Sequence, residues 1–326
     1  MKKRILFTGI TGFIGRNTIH NFIKRKYDIT AIIRPETNPI RIKEFQGIVN
    51  FVEIDLGDTH KLKQYLDNES FDQIIHIGAL RGGRKFTNEE FFAANVKATE
   101  QLIINAQKNK SKFIFCSSVG VFGAIPNELP ANDLTERNED NYYHFTKNQA
   151  EKLIQKYVLY GLDAVIIRPA ITYGEGDYGF PYTLIKLVDK GLMFYPKSSV
   201  KIHMTNINTL SNAFLKASDK NIKSGTAFIV ADKTPVELKD LVNFISQNLK
   251  NKPYPKNREI SLSFFRTGER IAKFLKNELW ISRFQLISRS WYYDVSKSIK
   301  ELDLNSSNTI PAFKMVIEWY KSLLIK

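Results

Sequence analysis

Tyr143-His144-Phe145-Thr146-Lys147 places a phenol and an ammonium four residues apart. On a helix that spacing puts both groups on one face. A free tyrosine ionises near pH 10, about three units above neutrality, so a tyrosine that exchanges protons at neutral pH needs about 4 kcal/mol of preferential phenolate stabilisation. A neighbouring ammonium supplies part of it. Many exposed helices carry such a pair without using it, so position decides between the two readings. Upstream, Cys116-Ser117-Ser118-Val119-Gly120-Val121-Phe122-Gly123 closes an apolar run that reads as a strand, Lys112–Cys116. In a doubly wound sheet ligands gather at that end of the strands. Tyr142 is the rival phenol, but its own i+4 partner is Thr146, which brings no charge.

A second constellation opens the chain. Ile5-Leu6-Phe7-Thr8-Gly9-Ile10-Thr11-Gly12-Phe13-Ile14-Gly15 reads as a strand, a glycine turn and a helix start. Such a turn lets backbone N–H groups approach a pyrophosphate, and the helix presents its positive end to the same anion. Three glycines alone can merely shape a tight connection. Here they follow a strand, open a helix and stand at the front of a βα series, which points to a dinucleotide. The usual spacing leaves one residue between the first two glycines, whereas this turn leaves two, Ile10 and Thr11. The Thr8-Gly9-x-x-Gly12-x-x-Gly15 arrangement resembles the extended short-chain dehydrogenase/reductases, the group that includes the NAD-dependent epimerase/dehydratase family, and the resemblance runs over nearly the whole chain.

The resemblance implies a nicotinamide dinucleotide held by Gly9, Thr11, Gly12, Phe13, Ile14 and Gly15. Asp55-Leu56 matches the family's adenine-contacting pair, and Gly78-Ala79 the segment lining the nicotinamide ribose. Ser118 opens a match to the serine-x-x-x-tyrosine-glycine segment, with Phe122 in place of the tyrosine. On that match Ser118 hydrogen-bonds the reacting oxygen, Tyr143 moves the proton, and Lys147 also holds the ribose, while Ser117 is a structural neighbour. Asn95 matches the asparagine that opens the dimer-contacting helix and is expected to support the substrate site, with a capping or exposed asparagine as the alternative. In NAD-preferring enzymes an acidic residue closes the second strand; here it ends Ile32-Ile33-Arg34. Arg34 suits a 2′-phosphate, as in relatives resembling dihydroflavonol reductase, so NADP is preferred over NAD. An ordinary exposed arginine is the alternative.

These groups need a scaffold that brings strand ends together. Arg4–Thr8, Asp28–Ile33, Val49–Ile54, Asp72–Ile77, Lys112–Cys116 and Asp163–Arg168 read as strands alternating with amphipathic helices. That alternation is an α/β class, a Rossmann-type doubly wound parallel sheet, with a smaller C-terminal substrate-binding lobe. Val96, Thr99, Leu102, Ile103 and Ala106 form one apolar helical stripe, for core or subunit contact. Pro169, Gly174, Gly176, Gly179 and Pro181 mark a loop-rich departure from the sheet. The division expected is a Rossmann domain over 1–170 and mainly a substrate-binding lobe over 171–326, interleaved with the last Rossmann elements. Thr234-Pro235-Val236-Glu237 reads as a helix start with Thr234 as its cap and Glu237 reaching back.

Composition narrows the classes. A chain of 326 residues, 43% of them hydrophobic, has ample material for a packed core. One cysteine, Cys116, excludes an internal disulfide and a cysteine metal cage, and the five histidines, His144 and His203 among them, show no ligand spacing, so no metal is assigned. Glycines interrupt the apolar run after Met1-Lys2-Lys3-Arg4 before export length, and no stretch approaches the roughly 20 apolar residues of a spanning helix. A cytoplasmic protein without stable membrane insertion is expected. The net charge of +15 is spread along the chain and matches no nucleic-acid motif, which favours general solvation or attraction for anionic small molecules over nucleic-acid binding.

In the second half, Arg168-Pro169-Ala170-Ile171-Thr172-Tyr173-Gly174, Asp294–Leu302 and Trp319-Tyr320 resemble family segments that are structural. Phe180 and Tyr182 are candidates to flank a substrate ring, with loop packing as the alternative. Nucleotide-sugar epimerases place an arginine three residues before an isoleucine-histidine pair, but Ile202-His203 is preceded by Ser199-Val200-Lys201. Arg81, Arg84 or Lys197 are left to bind a phosphate. The function expected is a sugar-nucleotide epimerase or carbonyl reductase acting at a secondary alcohol or ketone. Dehydration ranks lower, because no spacing singles out Asp133, Glu136 or Glu139. Alternatives are a dihydroflavonol-reductase-like NADPH-dependent reductase of a non-sugar carbonyl, a non-catalytic dinucleotide-binding scaffold, and a peripheral membrane protein using the basic and aromatic residues between Phe264 and Trp291. Helices over Asn95–Asn109 and Asn141–Tyr160 imply, on the resemblance, a homodimer.

Overall fold

A computed structural model describes residues 2–81 and 86–324. The six apolar runs become parallel strands: β1 (Arg4–Thr8), β2 (Asp28–Ile33), β3 (Asn50–Glu53), β4 (Gln73–His76), β5 (Lys112–Cys116) and β6 (Ala164–Pro169). After β7 (Ile171–Tyr173), β8 (Tyr195–Pro196), β9 (Lys201–Ile202) and β10 (Met204–Asn206), the chain returns to the large sheet as β11 (Thr226–Val230). The sheet has seven strands in the order β11-β6-β5-β4-β1-β2-β3, every pairing parallel. Its centre is apolar on both faces because helices cover both, which is why those runs show no alternation. The strand order reverses between β1 and β4, and in doubly wound sheets it is at such a reversal, outside the carboxyl ends of the strands, that ligands bind.

Helices α1 (Phe13–Ile23), α2 (Thr59–Asp67), α3 (Asn88–Phe92), α4 (Ala98–Asn109) and α5 (Tyr142–Val158) belong to the first half. On one face Ile19 and Phe22 of α1 pack with Leu210 and Phe214 of the later helix α7 (Ile207–Asp219). On the other, Leu62 of α2, Leu102 of α4 and Ile154 of α5 share a cluster with Phe113 and Phe115. The stripe from Val96 to Ala106 is buried, as its spacing predicts. Asn95 does not open the helix, however. Thr87 caps α3 through a reciprocal capping box with Glu90, and a π-helical turn over Ala93–Lys97 carries the chain into α4 with Asn95 in its middle.

The smaller lobe forms around Tyr173, Tyr195, Trp291 and Phe313, between α6 (Phe180–Asp189), α8 (Leu238–Lys250) and α12 (Thr309–Leu324). Its remaining elements are β12 (Val236–Glu237), β13 (Glu259–Ile260), α9 (Leu262–Phe274), α10 (Glu278–Ser288) and α11 (Ser296–Leu302). The helix expected from Thr234 starts later. Val236 and Glu237 pair antiparallel with Ile202 and Lys201, and α8 begins at Leu238 with no side-chain cap. The Ser199 hydroxyl donates to the Glu237 carboxylate, so the glutamate that a capping box would use is held across the pairing. Among the described residues no helix is long and apolar enough to cross a membrane.

Candidate active site

At the end of β1 the chain turns at Gly9, whose φ is +81°. The Gly12 N–H donates to the Gly9 carbonyl at 3.0 Å. A Cβ on Gly15 would stand 2.2 Å from that same oxygen, and one on Gly9 would stand 2.5 Å from the Gly78 nitrogen. These are backbone-on-backbone approaches, so the turn closes against the end of β4 only without side chains. Gly12 is exposed and caps α1 with no side-chain bond, and the first turn of α1 carries no acidic residue. A helix start lacking its own cap fits an anionic group, and the phosphates of a dinucleotide would satisfy it.

The other expected cofactor residues stand at the carboxyl ends of neighbouring strands. Thr11, Phe13 and Ile14 form the turn and first helical residues, and Arg34 is half-buried directly after β2. Asp55, just after β3, accepts the Gly57 N–H at 2.6 Å, and a Cβ on Gly78 would meet the Leu56 side chain at 2.9 Å. The Gly78 N–H donates to Thr8 Oγ1 at 2.9 Å, with Ala79 beside it.

Helix α5 starts at an Asn141 cap that accepts the His144 N–H. Tyr143 is half-buried in its first turn and Lys147 is buried one turn on. Lys147 Nζ donates to the Cys116 carbonyl at 2.7 Å, lies 4.6 Å from the Phe115 ring centroid and 5.9 Å from that of Tyr143. The ammonium therefore faces the end of β5 more closely than it faces the phenol. Burial lowers the Lys147 pKa to about 8, against the upward pull of Cys116 and Glu151, so it still holds its proton at neutral pH. Burial, reinforced by Cys116, raises the Tyr143 phenol well above its ordinary value; the charge of Arg81 and a hydrogen bond with Ser118 act the other way. Ser118 follows β5 in extended conformation, and its Oγ also accepts the Gly120 N–H at 3.0 Å. The structure thus brings Ser118, Tyr143 and Lys147 together at the strand ends. Arg81, exposed in the loop after β4, acts on the phenol and on the buried Asp177 carboxyl.

Two positioning groups complete the arrangement, Glu151, which the sequence did not single out, and Asn95, which it offered as a support for the site. Glu151, one turn beyond Lys147 on the same face, takes a two-pronged ion pair from Arg168 of β6 at 2.9 and 2.7 Å and the Ser117 hydroxyl at 2.5 Å. Arg137 approaches it at 3.2 Å, while Asp133 holds both Arg168 and Lys297. Burial would raise the Glu151 carboxyl, but Arg168, Arg137 and Ser117 hold it below the ordinary value. The i+4 step from Lys147 was the one available signal. Asn95 is the second: its amide donates to the Leu80 carbonyl and to Thr146 and accepts the Leu80 N–H, which ties the loop after β4 to α5.

Other expected residues have different surroundings. The Phe180 ring packs edge-on against buried Trp291, and Tyr182 lies among Tyr178, Trp319 and Tyr320. Tyr142 packs against Phe91 and Phe145. His144 meets Asp140, and buried His203 sits between the Asp232 carbonyl and the Tyr293 N–H, its pKa lowered to about 4 by burial. Lys197 and Lys201 are exposed, and Arg84 lies outside the described residues.

A sequence model of the NAD dependent epimerase/dehydratase family matches residues 5–195. A protein of Synechocystis named putative dihydroflavonol 4-reductase is 21% identical, over 97% of this chain and 94% of its own. UDP-glucose 4-epimerase of Vibrio cholerae is 27% identical over 74% of each chain. The structure of UDP-glucuronic acid 4-epimerase from Bacillus cereus in complex with NAD superimposes with a TM-score of 0.75 at 20% identity, covering 98% of this chain and 99% of that one.

Replacing Glu151 by Gln leaves the buried Arg168 with Asp133 as its remaining carboxylate partner, a loss of part of a buried ion pair that costs about 3 kcal/mol. Thermal unfolding of Glu151→Gln is expected at clearly lower temperature than wild type, and an unchanged melting point would show that the pair does not anchor α5.

Proposed function

This chain belongs to the NAD dependent epimerase/dehydratase family of enzymes, and from that premise we propose that it interconverts a ketone and a secondary alcohol with NADP(H) through Ser118, Tyr143 and Lys147. The observation that carries the reading is the meeting of the Tyr143 phenol, Ser118 and a buried ammonium at the strand ends that also carry the glycine turn. When bound, the nicotinamide exchanges hydride with the substrate carbon. In reduction the chain's own part is to bring a proton to the oxygen. Tyr143 donates it, and Ser118 hydrogen-bonds that oxygen as charge develops. The Lys147 ammonium and the Arg81 guanidinium lower the cost of the phenolate left behind. In oxidation Tyr143 takes the proton back. Gly9, Thr11, Gly12, Phe13, Ile14 and Gly15 hold the phosphates, Asp55, Leu56 and Ala79 line the remaining length of the dinucleotide, and Arg34 pairs with the 2′-phosphate.

Reduction of a carbonyl compound is the leading reaction. Arg34 stands where a carboxylate would select NAD, and the forked diphosphate-binding arginine that epimerases of nucleotide sugars carry three residues before an isoleucine-histidine pair is Ser199 here, with Lys201 nearby able to replace its charge but not its fork. Epimerisation is the second reading, favoured by the similarity to the two 4-epimerases. Dehydration has less support: Val119 and Gly120 follow Ser118, and the Asp133 carboxylate is taken up by Arg168 and Lys297. A homodimer through α4 and α5 accords with the exposure of Ile104, Leu159 and Tyr160 there.

With NADPH and a panel of ketones and sugar nucleotides, loss of reduced-nicotinamide absorbance identifies a reductase, and isomer formation without that loss an epimerase. Tyr143→Phe is expected to lower kcat about 100-fold or more while NADPH binding persists. The wild-type reduction rate should fall as pH rises through about 8, where Lys147 loses its proton. Turnover by Tyr143→Phe at the wild-type rate would sink the reading. Arg34→Asp should shift selectivity from NADPH toward NADH by about tenfold or more, the worth of one charge-assisted hydrogen bond; equal preference before and after would remove Arg34 from the phosphate site. Light scattering is expected to return twice the chain mass, and a monomer mass would refute the dimer.

A further inference from the structure

Helices α9 and α10 fold against each other as a hairpin whose inner face is fully used. Gly268 makes room for the Phe284 ring, which a Cβ would meet at 2.5 Å. Buried Glu269 collects Lys273, Gln285 and Arg289. The outer face and tip are another matter. Phe264 is 59% exposed, Ile271 55%, Phe274 86%, Leu275 65%, Leu279 59% and Trp280 47%. Positions 264, 271, 274 and 275 share one helical stripe, and Leu279 and Trp280 continue it beyond the turn. Six large apolar side chains left in water on one small feature form a patch of the kind that marks an interaction surface.

The charges beside the stripe indicate what covers it. Arg266, Arg270 and Lys273, at i, i+4 and i+7, form an exposed row on the neighbouring arc of α9. Lys276 stands at the tip, and the Arg283 guanidinium lies 5.1 Å from the Trp280 ring centroid. Over residues 262–284 there are five basic residues against two acidic ones, Glu269 and Glu278, and Glu269 is turned inward to its own cations. An apolar stripe with aromatic residues at its tip and a cationic flank is the pattern of a helix lying in the headgroup boundary of an anionic bilayer. We propose that the α9–α10 hairpin docks this protein reversibly on an anionic lipid surface, with Phe274, Leu275, Leu279 and Trp280 entering the boundary and Arg266, Arg270, Lys276 and Arg283 meeting lipid phosphates. The inference is independent of the reaction assigned above.

The test is co-sedimentation of the full chain with vesicles of phosphatidylcholine alone and of equimolar phosphatidylcholine and phosphatidylglycerol at low salt. Binding to the mixed vesicles is expected to exceed binding to the neutral ones about tenfold or more, and to weaken as salt is added. The double substitution Phe274→Glu with Leu275→Glu, at side chains exposed to solvent, should remove it. Arg266→Glu with Arg270→Glu should remove the preference for anionic lipid through a different set of contacts. Absence of wild-type binding at low salt overturns the proposal, as does wild-type binding by the Phe274/Leu275 variant or an unchanged anionic preference in the Arg266/Arg270 variant. If light scattering instead shows the wild type self-associating and the Phe274/Leu275 variant not, without vesicle binding, the patch joins copies of the chain and the lipid assignment is wrong.

Discussion

The buried ion pair between Arg168 and Glu151 sets the placement of the candidate site. Arg168 ends β6, Glu151 lies in the middle of α5, and Ser117 joins them from the end of β5. Two charges taken from water are expensive unless their lone pairs and protons find partners, and Arg137 at Glu151 and Asp133 at Arg168 add to the pairing here, with Lys297 holding Asp133 in turn. The pair thereby fixes the rotation of α5 about its axis. Tyr143, Lys147 and Glu151 stand at successive i+4 positions, so anchoring the last to β6 turns the first two toward Ser118. Asn95 acts at the other end, where its amide fastens Leu80 and Thr146 and so holds the loop bearing Arg81 beside Tyr143.

Burial and charge work against each other within that frame. The same desolvation that lowers Lys147 to about 8 raises the phenol of Tyr143, so an anion on the tyrosine is costly in the resting chain. Arg81 and Ser118 act against that rise, and the start of α1, with no acidic residue in its first turn, adds a second site of positive partial charge at the strand ends.

The smaller lobe is bound to the larger through the chain's return path. Leaving the sheet after β6, the chain builds part of the lobe and comes back to add α7 and β11 before finishing it. The two parts consequently share Arg168, Asp133 and Lys297, the last of these on α11. Aromatic residues near the entry to the lobe, Phe180 and Tyr182, are spent on packing against Trp291 and Trp319.

Local order along the chain determined a good deal. The strand runs, the stripe from Val96 to Ala106, the glycine turn and the Tyr143/Lys147 spacing are short-range patterns, and each is written in consecutive residues because a strand's period, a helix's period and a tight turn are local properties. Tertiary structure decided the rest. That Glu151 faces Arg168 depends on α5 lying across β5 and β6. That Asn95 clamps Leu80 depends on a π-helical turn between α3 and α4. That Val236 and Glu237 join β9 instead of opening a helix depends on the distant Ile202 and Ser199. Partners separated by tens of residues leave no periodic trace, since the energy that joins them comes from burial and pairing, which exist only once the layers have packed.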